Sequence, residues 1–396
     1  DLNSQAKDSV LAALDRHPNI EVRMFNPSRA RQSYLLRGVE LLLRVFSLNR
    51  RMHNKAWIAD GRIAVVGGRN IGDEYFGAAS ESNFLDADLA VVGEPVRETS
   101  RIFDAYWNSG AAIPLSELVD ADELSLQRLR RVGALEYRSE DAKPYLERLR
   151  RSPNVEALLH GSREFHWTPN AHVYSDPPQK AEGAPRRGDW LIDAITPAFV
   201  TAEHEVFISS PYFVPGDEGV TSLLRMRDRG VRIGILTNSL AATDVAAVHG
   251  GYAPYRVRLL RGGVELYELK ARGPGGGGSG LLGSSSSEAS LHTKAFMADG
   301  DVGFVGSINF DPRSINLNTE MGILFTDREL TRELMRLYAW KIGRDNSYRL
   351  WLENGEPRGE TAAGKPPRTC TEEPEADWKR RAMATMARWL PVESQL

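Results

Sequence analysis

The sequence predicts an α/β protein built from two duplicated α/β/α lobes that share one site across a pseudo-twofold interface. The first observation behind this is a spaced signature that occurs twice. His53, Lys55, Asp60, Gly67, Gly68 and Asn70 form one copy, and His292, Lys294, Asp299, Gly306, Ser307 and Asn309 the other. Both read H-x-K-x4-D-x6-G-[GS]-x-N without a slip, a pattern expected by chance at about 10⁻⁸ per position. The second observation is that strand-like stretches flank both copies: Ile20–Phe25 and Val264–Leu269 before, Asp88–Val92 and Glu320–Leu324 after. Third, a helical pattern carrying Tyr and Trp then follows each, at Arg97–Asn108 and Arg328–Trp340. The same order met twice implies duplication of one α/β unit.

Taken in order, residues 1–115 are expected to form the first lobe. Its opening helix, Ser4–Leu14, matches the segment that begins at Ser239 in the second half. The second half carries more before that point. It has a helix near Trp190–Phe199, a strand Glu205–Ser209, the loop 210–216 and a strand Val231–Thr237. The first half has no counterpart of these, so the first lobe is expected to be incomplete at its N-terminus and to build a smaller sheet. Residues 116–180 form an inter-lobe segment with an extended stretch at Ala171–Tyr174, and 181–350 the second lobe. Residues 351–396 form a C-terminal tail and helix. Within the second lobe, 271–290 is a Gly/Ser-rich loop expected to be mobile. Its position permits a lid, and a tolerated surface insertion is the plainer reading.

Composition bounds the function. The 396 residues suffice for two or three packed domains, with 41% hydrophobic and 26% charged residues, as in soluble globular chains. No apolar run approaches the roughly 18 residues of a membrane span. The net charge of −3 argues against a nucleic-acid partner. One cysteine, Cys370, excludes an internal disulfide.

Lys55 follows His53 by two residues, so on a strand both side chains share a face while Asn54 points away. Asp60-Gly61 is a hairpin signal, and a two-residue turn there places Gly68 opposite His53. The second copy repeats this, with Asp299-Gly300 at the turn and Ser307 facing His292. Asp60 and Asp299 are therefore turn formers rather than catalysts. Imidazole, ammonium and amide together suit a phosphodiester without metal or cofactor. Lys55, Lys294, Asn70 and Asn309 would neutralise its oxygens, while one imidazole attacks phosphorus and the other protonates the leaving oxygen. Glu320 and Asp88, heading matched strands, are the candidate carboxylates that orient the histidines. Among the remaining histidines only His249, after a strand–helix junction, has a chance of approaching the site.

These residues resemble the phospholipase D superfamily, whose members carry two His-x-Lys-x4-Asp motifs. The strings GGRNIGDEYFG (67–77), SPYFVPG (210–216), LTNSLAATDVAAVHGGYAPYR (236–256) and FDPRSINLNTEMG (310–322) are similar to bacterial cardiolipin synthases, particularly their C-type branch. The C-terminal string 390–394 fits the same branch. The resemblance implies transfer of a phosphatidyl group, from phosphatidylethanolamine or phosphatidylglycerol, to the glycerol hydroxyl of phosphatidylglycerol. It also implies a phosphohistidine intermediate, which the family's general pattern places on His53, and no metal or cofactor. Gly68 departs from the serine of the usual signature and removes a hydroxyl donor. Asp88 is shorter than Glu320. A hydrolase with water as acceptor is the alternative, and an idle membrane-binding module is disfavoured by the intact residues of both copies.

Phospholipid substrates imply contact with a membrane surface. The location implied is the bacterial inner membrane, peripheral, on its cytoplasmic side; a separate small partner protein is left open. Arg23–Lys55 holds eight basic residues and one acid among apolar positions at helical spacing, the pattern of a surface-lying segment. Trp378–Leu390 reads in the same way, with docking on the second lobe as the competing account.

Overall fold

The computed structural model describes residues 8–28, 49–79, 82–151, 157, 160, 165–186, 188–271, 288–359, 368–369 and 373–389. The Gly/Ser-rich stretch and most of the basic segment from Arg23 to Lys55 lie outside these residues. The first half supplies β1 (Arg23–Phe25), β2 (Ala56–Ala59), β3 (Ile63–Gly67), β4 (Ser82–Leu85), β5 (Asp88–Val92) and β6 (Ala112–Pro114). The rest of the chain supplies β7 (Ala171–Ser175), β8 (Glu205–Ser209), β9 (Arg232–Asn238), β10 (Glu265–Leu269) and β11 (Glu288–Leu291). After these come β12 (Lys294–Ala298), β13 (Val302–Gly306), β14 (Met321–Thr326), β15 (Ser347–Glu353), β16 (Glu356–Gly359) and β17 (Arg368–Thr369).

The second half centres on a ten-stranded mixed sheet in the order β17-β16-β15-β10-β9-β8-β12-β13-β14-β7. Its middle strands, β8, β9 and β10, run parallel and are buried along nearly their whole length, polar Thr237, Asn238 and Glu268 included. Every residue of β12 is buried. In the first half the matching sheet is β2-β3-β5, three strands among the described residues. There β2 is an edge strand with Trp57 67% exposed, whereas its counterpart β12 is flanked by β8. β1 does not occupy the place of β10. It pairs with β6 in a separate two-stranded sheet, which buries Leu115 and Ala12 between them and the neighbouring helices.

The halves meet through one apolar cluster in which Val66 joins Leu236, Leu291, Val305 and Met321, with Leu85, Ala87 and Leu89 packed against it. Two parallel pairings reinforce this contact. β11 pairs with β4, and Met52 bridges Thr319. Burial of this cluster and the cross-half ladders fix the relative placement of the two signatures.

Two sequence expectations shift by a residue or more. The hairpins close with three-residue turns, not two. Asp60 and Gly61 adopt φ of 53° and 64°, and the Arg62 amide donates to the Ala59 carbonyl. Lys294 therefore pairs with Gly306, and neither Gly68 nor Ser307 stands directly opposite its histidine. The helix expected from Ser239 begins only at Ala246. Ser239 and Thr243 hydroxyls accept from the Ala242 and Val245 amides, which holds that stretch as turns.

Candidate active site

His53 and His292 each stand just before a hairpin strand, and each is pinned from the opposite half. The His53 amide donates to the Thr319 carbonyl, and the His292 and Thr293 amides both donate to Leu85. These pairings bring Glu320 to His53 and Asp86 to His292. Glu320 Oε2 lies 2.8 Å from His53 Nδ1, and Asp86 Oδ2 lies 2.6 Å from His292 Nδ1. The carboxylates are thus exchanged between the halves. Each is placed to accept an Nδ1–H hydrogen bond, the tautomer that leaves Nε2 unprotonated; Lys294 Nζ also lies 3.0 Å from His292 Nδ1.

Asp88 does not fill the orienting role expected of it. It forms an ion pair with Arg69 at 2.6 Å, and Arg69 also donates to the Tyr75 carbonyl. The ladder register gives the reason. Gly67 pairs with Asp88 and Gly306 with Gly322, so the true match of Glu320 is Asp86, two residues earlier. A signal was present in those glycines, which anchor both alignments.

The two carboxylates differ in support. Ser307 Oγ donates to Glu320 Oε2 at 2.5 Å, and the Glu320 amide donates to Asp176, which is itself paired with buried Lys180. Asp86 takes the Ala87 amide at 2.9 Å. No hydroxyl reaches it from position 68. A Cβ on Gly68 would come within 2.5 Å of Asp86 Oδ1, so the missing serine is also a steric requirement of the closer carboxylate.

Lys55 and Lys294 adopt the same pose, donating to the carbonyl of the histidine two residues before them, at 2.7 and 2.6 Å. Burial lowers Lys55 to about 7 and Lys294 to about 8, against the opposing pull of Glu320 and Asp86. A third buried cation was missed by the sequence reading. Lys341, in the helix Arg328–Lys341, donates to Thr293 Oγ1 at 2.5 Å, and burial lowers it to about 8. Burial also depresses His53, and with help from Lys294 it brings His292 to about 3. Both imidazoles are therefore neutral at pH 7. Burial would raise Glu320 and Asp86, but their histidines and the lysines outweigh it and keep both ionised.

Asn70 and Asn309 sit in matched places with different partners. The Asn70 amide donates to Tyr75 Oη at 2.7 Å, and the Asn309 amide lies 3.4 Å from Ser314 Oγ. Asn309 Oδ1 is buried with no hydrogen-bond partner among the described residues. Asn54 points away and donates to Ser175. Asp60 and Asp299 take positive φ in their turns, and Asp299 also accepts three backbone amides, from Glu203, His204 and Glu205. His249 stays out of the site. It is buried against Glu373 and Arg256 in an ionic brace that ties the C-terminal segment to β10 through Glu268.

The arrangement can bind an oxyanion between buried Lys294 and half-buried Lys55, with one imidazole Nε2 contributed by each half. Among the described residues no cluster of His, Cys, Asp and Glu could hold a metal. Comparison with known proteins agrees with the geometry. A family model described as cardiolipin synthase, PLD-like domain, matches residues 195–341. The chain is 39% identical to cardiolipin synthase C of Escherichia coli (strain K12), over 99% of this chain and 82% of that protein. It is 27% identical to a cardiolipin synthase of Geobacillus sp. (strain WCH70), over 73% of this chain and 45% of that one. Its fold is similar to that of phosphatidylserine synthase from Haemophilus influenzae Rd KW20, with a TM-score of 0.54 at 14% identity, covering 87% of this chain and 71% of that one.

Proposed function

The chain belongs to the cardiolipin synthase family of phospholipase D-like proteins, and we propose that it is a phosphatidyltransferase acting on phospholipids. It moves a phosphatidyl group from phosphatidylethanolamine or phosphatidylglycerol to the glycerol hydroxyl of a phosphatidylglycerol acceptor. The observation that carries this reading is the exchanged pair of carboxylates, which leaves one Nε2 from each signature available to one phosphorus.

His53 is the nucleophile in this reading. Among the described residues nothing hydrogen-bonds its Nε2, while that of His292 faces the Tyr75 hydroxyl at 3.4 Å. His53 Nε2 forms the N–P bond as the head-group oxygen departs, and His292 supplies the proton and later retrieves one from the acceptor. Burial and Lys294 hold His292 neutral before substrate binds, so that proton must be taken up. An arriving phosphodiester anion reverses the balance. It restores charge on Lys55 and Lys294 and favours protonation of one imidazole, so binding draws protons in. The lysines then meet the charge that grows on the non-bridging oxygens.

The enzyme works as a peripheral protein on the cytoplasmic face of a bacterial inner membrane. No described helix is long and apolar enough to cross a membrane. The helix Trp378–Trp389 docks on the second half through Ala384 and Ala387, close against Gly250. Its opposite side presents Trp378 (74% exposed), Met386 (58%) and Trp389 (85%), flanked by Lys379, Arg381 and Arg388 with no acid in the helix. An apolar stripe edged with cations suits an anionic bilayer. The first test is incubation of the chain with phosphatidylglycerol, with and without phosphatidylethanolamine, followed by mass spectrometry. Cardiolipin supports transfer, and ethanolamine release identifies the donor. Phosphatidic acid as the sole product would establish hydrolysis instead.

A further inference from the structure

Two-histidine chemistry leaves Tyr75 without a part, yet its hydroxyl touches the reacting nitrogen of His292. Oη lies 3.4 Å from Nε2, and the rings meet edge to face at 4.9 Å. The placement is enforced from several sides. Asn70 donates to the same hydroxyl at 2.7 Å, Phe84 packs on the tyrosine ring at 4.8 Å, and Arg69, paired with Asp88, grips the Tyr75 carbonyl. Asp86 and Lys294 both stand at Nδ1, at 2.6 and 3.0 Å, and with the Nδ1 proton directed to the nearer Asp86 the phenol proton points at Nε2.

The other half offers a control built into the fold. Asn309 is the match of Asn70, and five residues on from each stand Ser314 and Tyr75. Ser314 Oγ faces Asp311, 3.4 Å away, and makes no hydrogen bond to His53. A hydroxyl therefore stands at the imidazole nitrogen on one side of the site only, the side that must handle the proton of the head-group oxygen.

We propose that Tyr75 is a catalytic proton relay between His292 and the oxygen that leaves or attacks phosphorus. This rests on the phosphatidyltransfer reading. In the first half-reaction His53 Nε2 forms the N–P bond while the P–O bond to the head group breaks. The Tyr75 proton passes to the departing oxygen, and the proton taken up by His292 Nε2 passes to the Tyr75 oxygen. In the second, the acceptor hydroxyl gives its proton to the Tyr75 oxygen, and the phenol proton moves to His292. The acceptor oxygen forms its bond to phosphorus as the P–N bond breaks. Tyr75 ends each half as it began. Its burial pushes the phenol up to about 12, so it is protonated whenever a substrate arrives.

Leaving-group dependence tests the relay. Phosphatidylglycerol releases an alkoxide that needs a proton, whereas phosphatidyl-p-nitrophenol releases a phenolate that needs none. Tyr75→Phe keeps the ring against Phe84 and His292 and removes only the hydroxyl. The ratio of its rates on the two lipids, relative to the unaltered chain, should shift by about 100-fold against phosphatidylglycerol, the lower range of general acid–base contributions. An equal loss on both lipids would assign Tyr75 a packing role and overturn the relay, as would no loss on either. A chain that releases p-nitrophenol but makes no cardiolipin would sink the transfer reading and still report the ratio.

Discussion

His53 leans on Glu320, a carboxylate with no exposure that also receives the Ser307 hydroxyl and, through its amide, the Asp176–Lys180 pair. His292 leans on Asp86, one methylene shorter and supported by a single neighbouring amide, with a tyrosine at its far nitrogen. The same signature has thus been given two environments. Nucleophile and acid need different surroundings, and a duplicated fold reaches that difference by changing what touches each ring while the rings stay in matched places.

The largest effect that would sharpen this contrast comes from the histidines. His53→Ala and His292→Ala should each lower turnover by about 10⁴-fold or more. Only His292→Ala should still yield a phosphoenzyme, seen after a slow substrate by mapping at alkaline pH, where the P–N bond survives. A phosphoenzyme in His53→Ala would exchange the roles of the two halves.

Next come the carboxylates. Glu320→Gln and Asp86→Asn both leave an imidazole without its anionic partner, and a loss of about 10²–10⁴-fold in kcat is expected, comparable with the wrong-tautomer effect in serine hydrolases. Glu320→Gln should be the more severe, because Ser307 and His53 share one carboxylate oxygen and the amide keeps only one uncharged oxygen to serve them. Asp88→Asn serves as the contrast, since it loosens Arg69 and not a histidine. If Asp88→Asn proved as damaging as Asp86→Asn, the exchanged pairing would be wrong.

A smaller effect is expected at the glycine. Gly68→Ser would restore the symmetry of the motif, yet its Cβ would press on Asp86 Oδ1. A stability loss of about 1–3 kcal/mol by urea unfolding is expected. Ser307→Gly, on the other side, removes a donor to a buried carboxylate and should cost about 1–3 kcal/mol by the same assay. A gain in stability for Gly68→Ser would show that the first half tolerates the second half's solution.

The mildest test uses pH. His292 is lowered from 6.5 to about 3 by burial and Lys294, so between these values the unfolded chain binds a proton that the folded chain refuses. Stability from this group is therefore full above about pH 6.5 and is lost as pH falls toward 3, with a slope of up to about 1.4 kcal/mol per unit. His292→Gln should flatten urea-midpoint profiles between pH 6 and 4 by about one proton. An unchanged slope would mean that the ring is already charged in the folded protein.

The duplicated signatures made much of this site legible before any coordinates. His53, Lys55, His292 and Lys294, with Asn70 and Asn309, are placed around one spot by two hairpins whose spacing is local. The carboxylates were harder, because their partners lie 267 and 206 residues away in sequence and no periodicity reports an exchange between halves. Asp86 was further hidden by the longer loop after Asn70, the loop that carries Tyr75. It let Asp88, the first residue of a clear strand, stand in its place. The turn length failed for a different reason. An Asp-Gly pair signals a hairpin, but Arg62 is drawn into the loop by its bond to Ala59, and only the ladder reveals that. Lys341 could not have been singled out, since a lysine ending an amphipathic helix usually faces water.

Exchange of the carboxylates also bears on synthesis of the chain. While residues up to about 180 have emerged from the ribosome, His53 exists but Glu320 has not been translated. The His53 ring therefore meets Glu320 only once the second half has folded against the first. Pairing of His53 with its carboxylate thus waits on folding of a segment 267 residues further along the chain.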